Sequence, residues 1–131
     1  MTLDEISDTA EAWLGYWNAP TGSPTRETLY WVSDRIRDLL DREPDQLWQL
    51  ILLVHRKDQS PAIQQVLSAG PLEDLLSTHG QVFIERIERE AIADRSFAQL
   101  LGGVWRNRMS EDVWARVQAV WDRRGWDGIP E

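Results

Sequence analysis

Apolar positions recur at three- and four-residue intervals along most of this chain. Ile6, Ala10, Trp13, Leu14 and Trp17 share one face, and Leu29, Val32, Ile36, Leu39 and Leu40 share another. That spacing predicts amphipathic helices. A first helix is expected over 3–17, with Thr2 as N-cap and Glu5 reaching back to it in capping-box form. Residues 18–24 hold Asn18, Pro20, Gly22 and Pro24 and read as a loop. A second helix begins at Pro24 or Thr25 and stops at Glu43-Pro44. The third carries Leu47, Trp48 and an apolar run from Leu50 to Val54, so it is expected to be buried on several sides. Ser60 and Pro61 restart the chain as N-cap and first-turn residue of a fourth helix, whose inner face is Ile63, Val66 and Leu67.

The centre of the chain, 69–80, carries the sharpest local signals. Gly70 is expected to close one helix and Pro71 to open the next. Leu72, Leu75 and Leu76 then form a face, Glu73 and Asp74 lie at the positive end of the helix dipole, and His79 and Gly80 close the segment. The reading is a short helix of roughly two turns, pinned at both ends. Val82, Phe83, Ile84, Ile87 and Ala91 mark a sixth helix, and Phe97, Leu100 and Leu101 a seventh. Gly102-Gly103 follows, a pair that lets the backbone turn or approach another element closely. Ser110 caps an eighth helix with a stripe of Val113, Trp114, Val117, Val120 and Trp121, expected to run through Arg123 and Arg124 to Gly125, with 126–131 as a tail.

These elements define an all-α fold: one domain over 1–131, a single compact bundle or short solenoid of about seven to eight helices. A shift of 35 residues lays Gln46-Leu47-Trp48 over Gln81-Val82-Phe83, and Leu52 over Ile87. Two stacked helical hairpins, the third and fourth helices and the sixth and seventh, are one arrangement of that pattern.

Composition narrows the function classes. The chain of 131 residues is long enough to bury a core without cysteines, of which it has none, so disulfides, thiolate metal sites and Cys nucleophiles are excluded. A net charge of −8 disfavours direct nucleic-acid binding and suits a basic partner. No apolar run approaches the roughly 20 residues of a membrane span. The polar, acidic start lacks the basic and apolar regions of a signal peptide. A cytoplasmic protein with no membrane association is expected. Most of the eight tryptophans are expected in the core, because most fall in phase with apolar neighbours.

Two groups of residues carry candidate chemistry. Glu73, Asp74 and His79 would serve as a metal or acid–base site, or simply as the caps of a connector helix. Their separations of five and six residues do not match the i, i+3 or i, i+4 spacing of two ligands on one helix, and no metal or cofactor is expected. Trp105, Arg106 and Arg108 follow the double glycine in a chain otherwise acidic. Arginines so placed can hold a phosphate or carboxylate; the plainer reading is ion pairing to Glu111 and Asp112. If the two segments meet, Glu73 or Asp74 is expected to pair with Arg106 or Arg108.

Ala12-Trp13-Leu14-Gly15-Tyr16-Trp17, the stretch from Ala69 to Leu76, Leu101-Gly102-Gly103-Val104-Trp105 and the stretch from Glu111 to Val117 together resemble an uncharacterised, all-helical bacterial family of unknown function. The resemblance covers most of the chain and implies a helical fold without implying a reaction. The favoured function is a protein-binding module, concretely an immunity protein or antitoxin that neutralises a basic bacterial toxin. The alternative is a small-ligand-binding protein or enzyme using Glu73, Asp74, His79 and the 102–108 turn. No nucleophile motif, P-loop, dinucleotide fingerprint or metal signature supports catalysis, which is the less favoured of the two.

Overall fold

Prolines and small hydroxylated or acidic residues set where the helices begin. The computed structural model of the chain describes residues 2–126. Its elements are α1 (Leu3–Asn18), α2 (Pro24–Leu29), α3 (Trp31–Arg42), α4 (Pro44–Lys57), α5 (Pro61–Leu67), a π-helical turn (Ser68–Leu72), α6 (Glu73–Ala93), α7 (Arg95–Leu101) and α8 (Glu111–Val120). Of the described residues 78% are helical and none is in a strand, which is the expected all-α class. Tyr30 keeps helical angles between α2 and α3, and the π turn joins α5 to α6, so the described residues form six helical runs, slightly below the expected seven to eight.

Thr2 and Ser110 cap their helices as expected, and Ser23 and Asp94 are caps that were not singled out from sequence. Thr2 Oγ1 accepts the Glu5 N–H at 3.1 Å, Ser23 caps α2, Asp94 caps α7 and Ser110 caps α8 by accepting the Val113 N–H at 3.2 Å. The Glu5 carboxylate meets the Thr2 hydroxyl, a variant of the reciprocal box. α1 ends one residue beyond expectation, at Asn18.

The chain divides into two compact units, Met1–Val66 and Leu67–Glu131. In the first, α1 packs on α2, α3 and α4, and α3 packs on α4. Its core is Ile6, Ala10, Trp13, Val32, Leu39, Leu47, Leu50, Ile51 and Val54. His55, in the last turn of α4 as expected, is buried; its Nδ1 meets Gln64 Oε1 at 2.7 Å, and Gln64 Nε2 donates to the Asp58 carbonyl. The ring thus ties the end of α4 to α5.

In the second unit, α6 packs on α7, α8 and the π turn, around Leu72, Leu75, Leu76, Phe83, Ile84, Ile87, Phe97, Leu101 and Val117. The expected break at Gly70-Pro71 is absent. Residues 68–72 are helical throughout, with Pro71 inside the run. A proline in a helix lacks an N–H and crowds the preceding turn, and the wider π turn relieves both. Burial holds the run together: Ser68, Pro71 and Leu72 are buried, and the Ser68 hydroxyl donates to the Leu100 carbonyl at 2.8 Å.

The expected end of the central helix at His79 and Gly80 is met by a break: His79 leaves the helical region (φ −129°, ψ 26°), so the stretch Glu73–Ala93 is two helices joined at a kink. Gly80, just past the kink, also serves packing. A Cβ there would stand 3.0 Å from Val113 Cγ1, so the missing side chain is what lets α8 lie close on α6.

α8 stops at Val120, five residues before the expected end at Gly125. Trp121 is extended, and the Asp122 N–H donates to the Ala98 carbonyl at 2.9 Å. Arg124 forks onto the Asp122 carboxylate, and Arg95 approaches it at 3.5 Å. Trp126, expected in a tail, is docked: its indole N–H donates to the Gln99 carbonyl at 2.7 Å. The rest of that expected tail, 127–131, lies outside the described residues.

The double glycine is explained by this strap. A Cβ on Gly102 would lie 2.2 Å from the Asp122 carbonyl oxygen, and one on Gly103 would lie 2.5 Å from both the Ser68 hydroxyl and the Trp126 ring. The expected close approach is therefore real. No helix among the described residues is long and apolar enough to cross a membrane.

Candidate functional site

Past the double glycine the chain makes a tight turn, and the first turn of α6 holds it. Val104 and Met109 are buried at 1% and 4% exposure and anchor its two ends. Between them Trp105, Arg106, Asn107 and Arg108 are all exposed. The Met109 N–H donates to the Arg106 carbonyl at 2.9 Å, and Arg106 Nε returns a bond to the Met109 carbonyl at 3.3 Å. Asn107 sits in the left-handed region, φ 48°, where Asn is among the few side chains tolerated.

Glu73 closes the arrangement. Its Oε1 accepts the Trp105 N–H at 2.7 Å, and its Oε2 accepts from the Asn107 side-chain amide at 3.1 Å. One carboxylate therefore fixes two successive features of the turn: the backbone beside the indole and the residue at positive φ. Bonds to an ionised acceptor are stronger than neutral ones. The turn is tied down by its backbone while the Trp105 side chain stays 63% exposed.

The two candidate segments do meet, but not through the expected ion pair. Glu73 engages an N–H and an amide, with no guanidinium. The reason is geometric: the positive-φ turn faces the Trp105 N–H and the Asn107 amide toward α6, while Arg106 and Arg108 are exposed. The plainer expectation, pairing of these arginines with Glu111 and Asp112, is also not met. Among the described residues neither guanidinium lies in an ion pair. Arg108 acts on Asp74 only through its field.

Asp74 has its pKa raised above the ordinary carboxylate value, first by burial and then by the adjacent Glu73 charge; Arg108 opposes both. His79 stands at the kink of α6, beyond the first turn that carries Glu73 and Asp74. Asn107 was not singled out from sequence. Its position two residues after an exposed aromatic was the available signal, because Asn tolerates the left-handed conformation.

Elsewhere in the second unit, Arg116 forks onto Glu88, which its hydrogen bond holds below the ordinary carboxylate range. In the first unit, Glu11, Leu14, Gly15, Asn18, Lys57 and Asp58 line an open cleft of about 430 Å³. Its charges are mutually engaged: Lys57 pairs with Glu11 at 2.7 Å and Asn18 donates to Asp58 at 3.3 Å.

The tryptophans divide less simply than expected. Trp13 and Trp48 are buried, Trp114, Trp121 and Trp126 are half-buried, and Trp17, Trp31 and Trp105 are exposed. In-phase spacing places an aromatic on the inner side of its own helix, but a large ring at the edge of that face remains partly in water.

The fold and turn define an all-α protein that presents an aromatic–arginine turn at its surface, bonded to Glu73. The chain belongs to a family of unknown function, DUF6869, whose model matches residues 19–125. No curated protein and no solved structure matches it.

Proposed function

We propose that this chain is a protein-binding module whose anchor is the turn carrying Trp105. The observation behind this is the pairing of a 63% exposed indole with a backbone held by Glu73 at 2.7 Å. Other large apolar side chains are also exposed, among them Ile92, Val82 and Trp31, and what sets Trp105 apart is the bond from its own backbone N–H to Glu73. Tryptophan and arginine are the side chains most enriched among binding hot spots. A turn already fixed loses little conformational freedom on binding, so more of the contact energy is realised as affinity.

The concrete form proposed is an immunity protein or antitoxin that neutralises a bacterial toxin in the cytoplasm. The net charge of −8 would speed encounter with a basic toxin. Exposed acids on α3, Asp34, Asp38 and Asp41, and on α6, Glu85, are suited to that steering. Trp105 would then supply the short-range anchor. Co-purification from the native cell lysate tests this, with wild type and Trp105→Ala compared after both are shown to be folded. One dominant partner should be retained by the wild type and lost from the variant. A partner held equally by both, or none, contradicts the reading.

One observation favours the alternative, a small-ligand site or enzyme. Asp74 has a raised pKa beside Glu73, and a carboxyl so placed can hold a proton for acid–base work. Intact activity, in any assay that detects one, after separate Glu73→Ala, Asp74→Ala and His79→Ala substitutions would remove this alternative.

A further inference from the structure

The sign of charge at the turn bears on what it touches, and this inference rests on the reading of the turn as a protein-binding anchor. Glu73 has both oxygens engaged by Trp105 and Asn107. Arg106 keeps only its Nε bond to the Met109 carbonyl, and Arg108 is exposed. Among the described residues neither is ion-paired. The fold thus presents two exposed guanidinium side chains on the same turn as one exposed indole, with that turn bonded to Glu73. Each guanidinium is a planar fork of donors that matches a carboxylate with two parallel bonds.

We propose that the partner contact is an apolar pocket that takes the Trp105 indole and is rimmed by carboxylates that take Arg106 and Arg108: an acidic protein or peptide surface. Nucleic acid offers the same negative charge but fits less well. Binding along a strand needs a basic track and several stacking rings, whereas this turn carries one ring in a chain of net charge −8. A compact acidic rim meets only the two arginines. The whole-chain field and the local contact also act at different ranges, since exposed charges beyond about 8 Å are largely screened at physiological salt. A partner that is basic overall can therefore still present an acidic rim to this turn.

The test selects short random peptides, displayed on phage, against the immobilised full chain. Trp105→Ala and the double variant Arg106→Glu/Arg108→Glu are selected in parallel, each first shown by circular dichroism to be folded. The expected consensus places Asp or Glu beside a large apolar residue. A synthetic consensus peptide should bind Trp105→Ala at least about thirtyfold more weakly, and the charge-reversed variant should select basic peptides instead. Peptides that need Trp105 but are basic, or that ignore the arginine reversal, overturn the acidic rim and leave the protein-binding reading standing. If no selected peptide depends on Trp105, both fail. Binding of an oligo-dT strand that is lost with Trp105→Ala overturns the assignment in favour of nucleic acid.

Discussion

Two regions of this molecule combine aromatic rings with arginine, and they use them in opposite ways. At the end of α1, Arg26 lies over the rings of Tyr16 and Trp17 at 4.9 and 5.2 Å, and its Nε donates to the Tyr16 and Ala19 carbonyls at 3.0 Å each. These carbonyls belong to the last turn and C-cap of α1, where helices leave acceptors unsatisfied. Arg26 is therefore consumed by the fold. At the 102–108 turn the arginines are exposed; Arg106 makes one backbone bond, to the Met109 carbonyl at 3.3 Å, and the bonds that tie the turn to α6 are made by Glu73. Residue type does not separate glue from anchor; what separates them is how many of its groups the fold engages, two carbonyls and two rings for Arg26 against one carbonyl for Arg106.

The comparison can be broken first at the foundation of the turn. Gly102→Ala forces a Cβ toward a carbonyl oxygen 2.2 Å away, a backbone atom that cannot swing aside. Overpacking of this kind should lower stability by about 3 kcal/mol, read as a fall in the denaturant midpoint. Little loss would mean that the strap at Asp122 does not brace the turn.

Next in size are the arginines themselves. Arg26→Ala should destabilise by about 1–2 kcal/mol, through lost bonds to two carbonyls and lost contact with two rings. Arg108→Ala, which removes no hydrogen bond or ion pair among the described residues, should stay within about 0.5 kcal/mol of wild type. Equal losses, measured by thermal or chemical unfolding, would erase the distinction between the two regions.

The smallest effect is electrostatic. The folded pKa of Asp74 lies above its ordinary value, so as pH rises the unfolded chain releases that proton first. Stability then falls through the window between the ordinary and the raised pKa, and Asp74 opposes folding at neutral pH. Asp74→Asn should therefore gain stability relative to wild type as pH climbs out of the acid range. The carboxylates held by partners, Asp122 by Arg124 and Glu88 by Arg116, have lowered pKa values and the opposite sign: their stabilisation is lost as pH falls below the ordinary carboxylate range. Urea titrations at several pH values separate the two slopes.

Most of the fold was legible in the sequence because its signals are local. Thr2 and Ser110 cap helices by contacts three residues away, and the apolar stripes record one helix face each. The failures occur where tertiary contacts outweigh local preference. Gly70-Pro71 carries a strong stop signal, yet the backbone stays helical through it where Ser68, Pro71 and Leu72 are buried, whereas the signal at His79-Gly80 does mark a kink between two helices. Gly80 is present because Val113 needs the space. The site was legible as two segments: Glu73 and the turn after the double glycine were both singled out. Their bonding pattern was not, because it depends on a positive φ at Asn107 that faces an amide toward the carboxylate.

An anchor of this kind requires the turn to be held before anything binds it, and hydrogen exchange at the Trp105 amide measures that directly. In the wild type this N–H, bonded to Glu73, should exchange far more slowly than the Thr21 and Gly22 amides of the loop after α1. Glu73→Ala should release it to an unprotected rate while the amides within α6 and α8 keep their protection. An unprotected Trp105 amide in the wild type would contradict the central claim and reduce the turn to an ordinary surface loop.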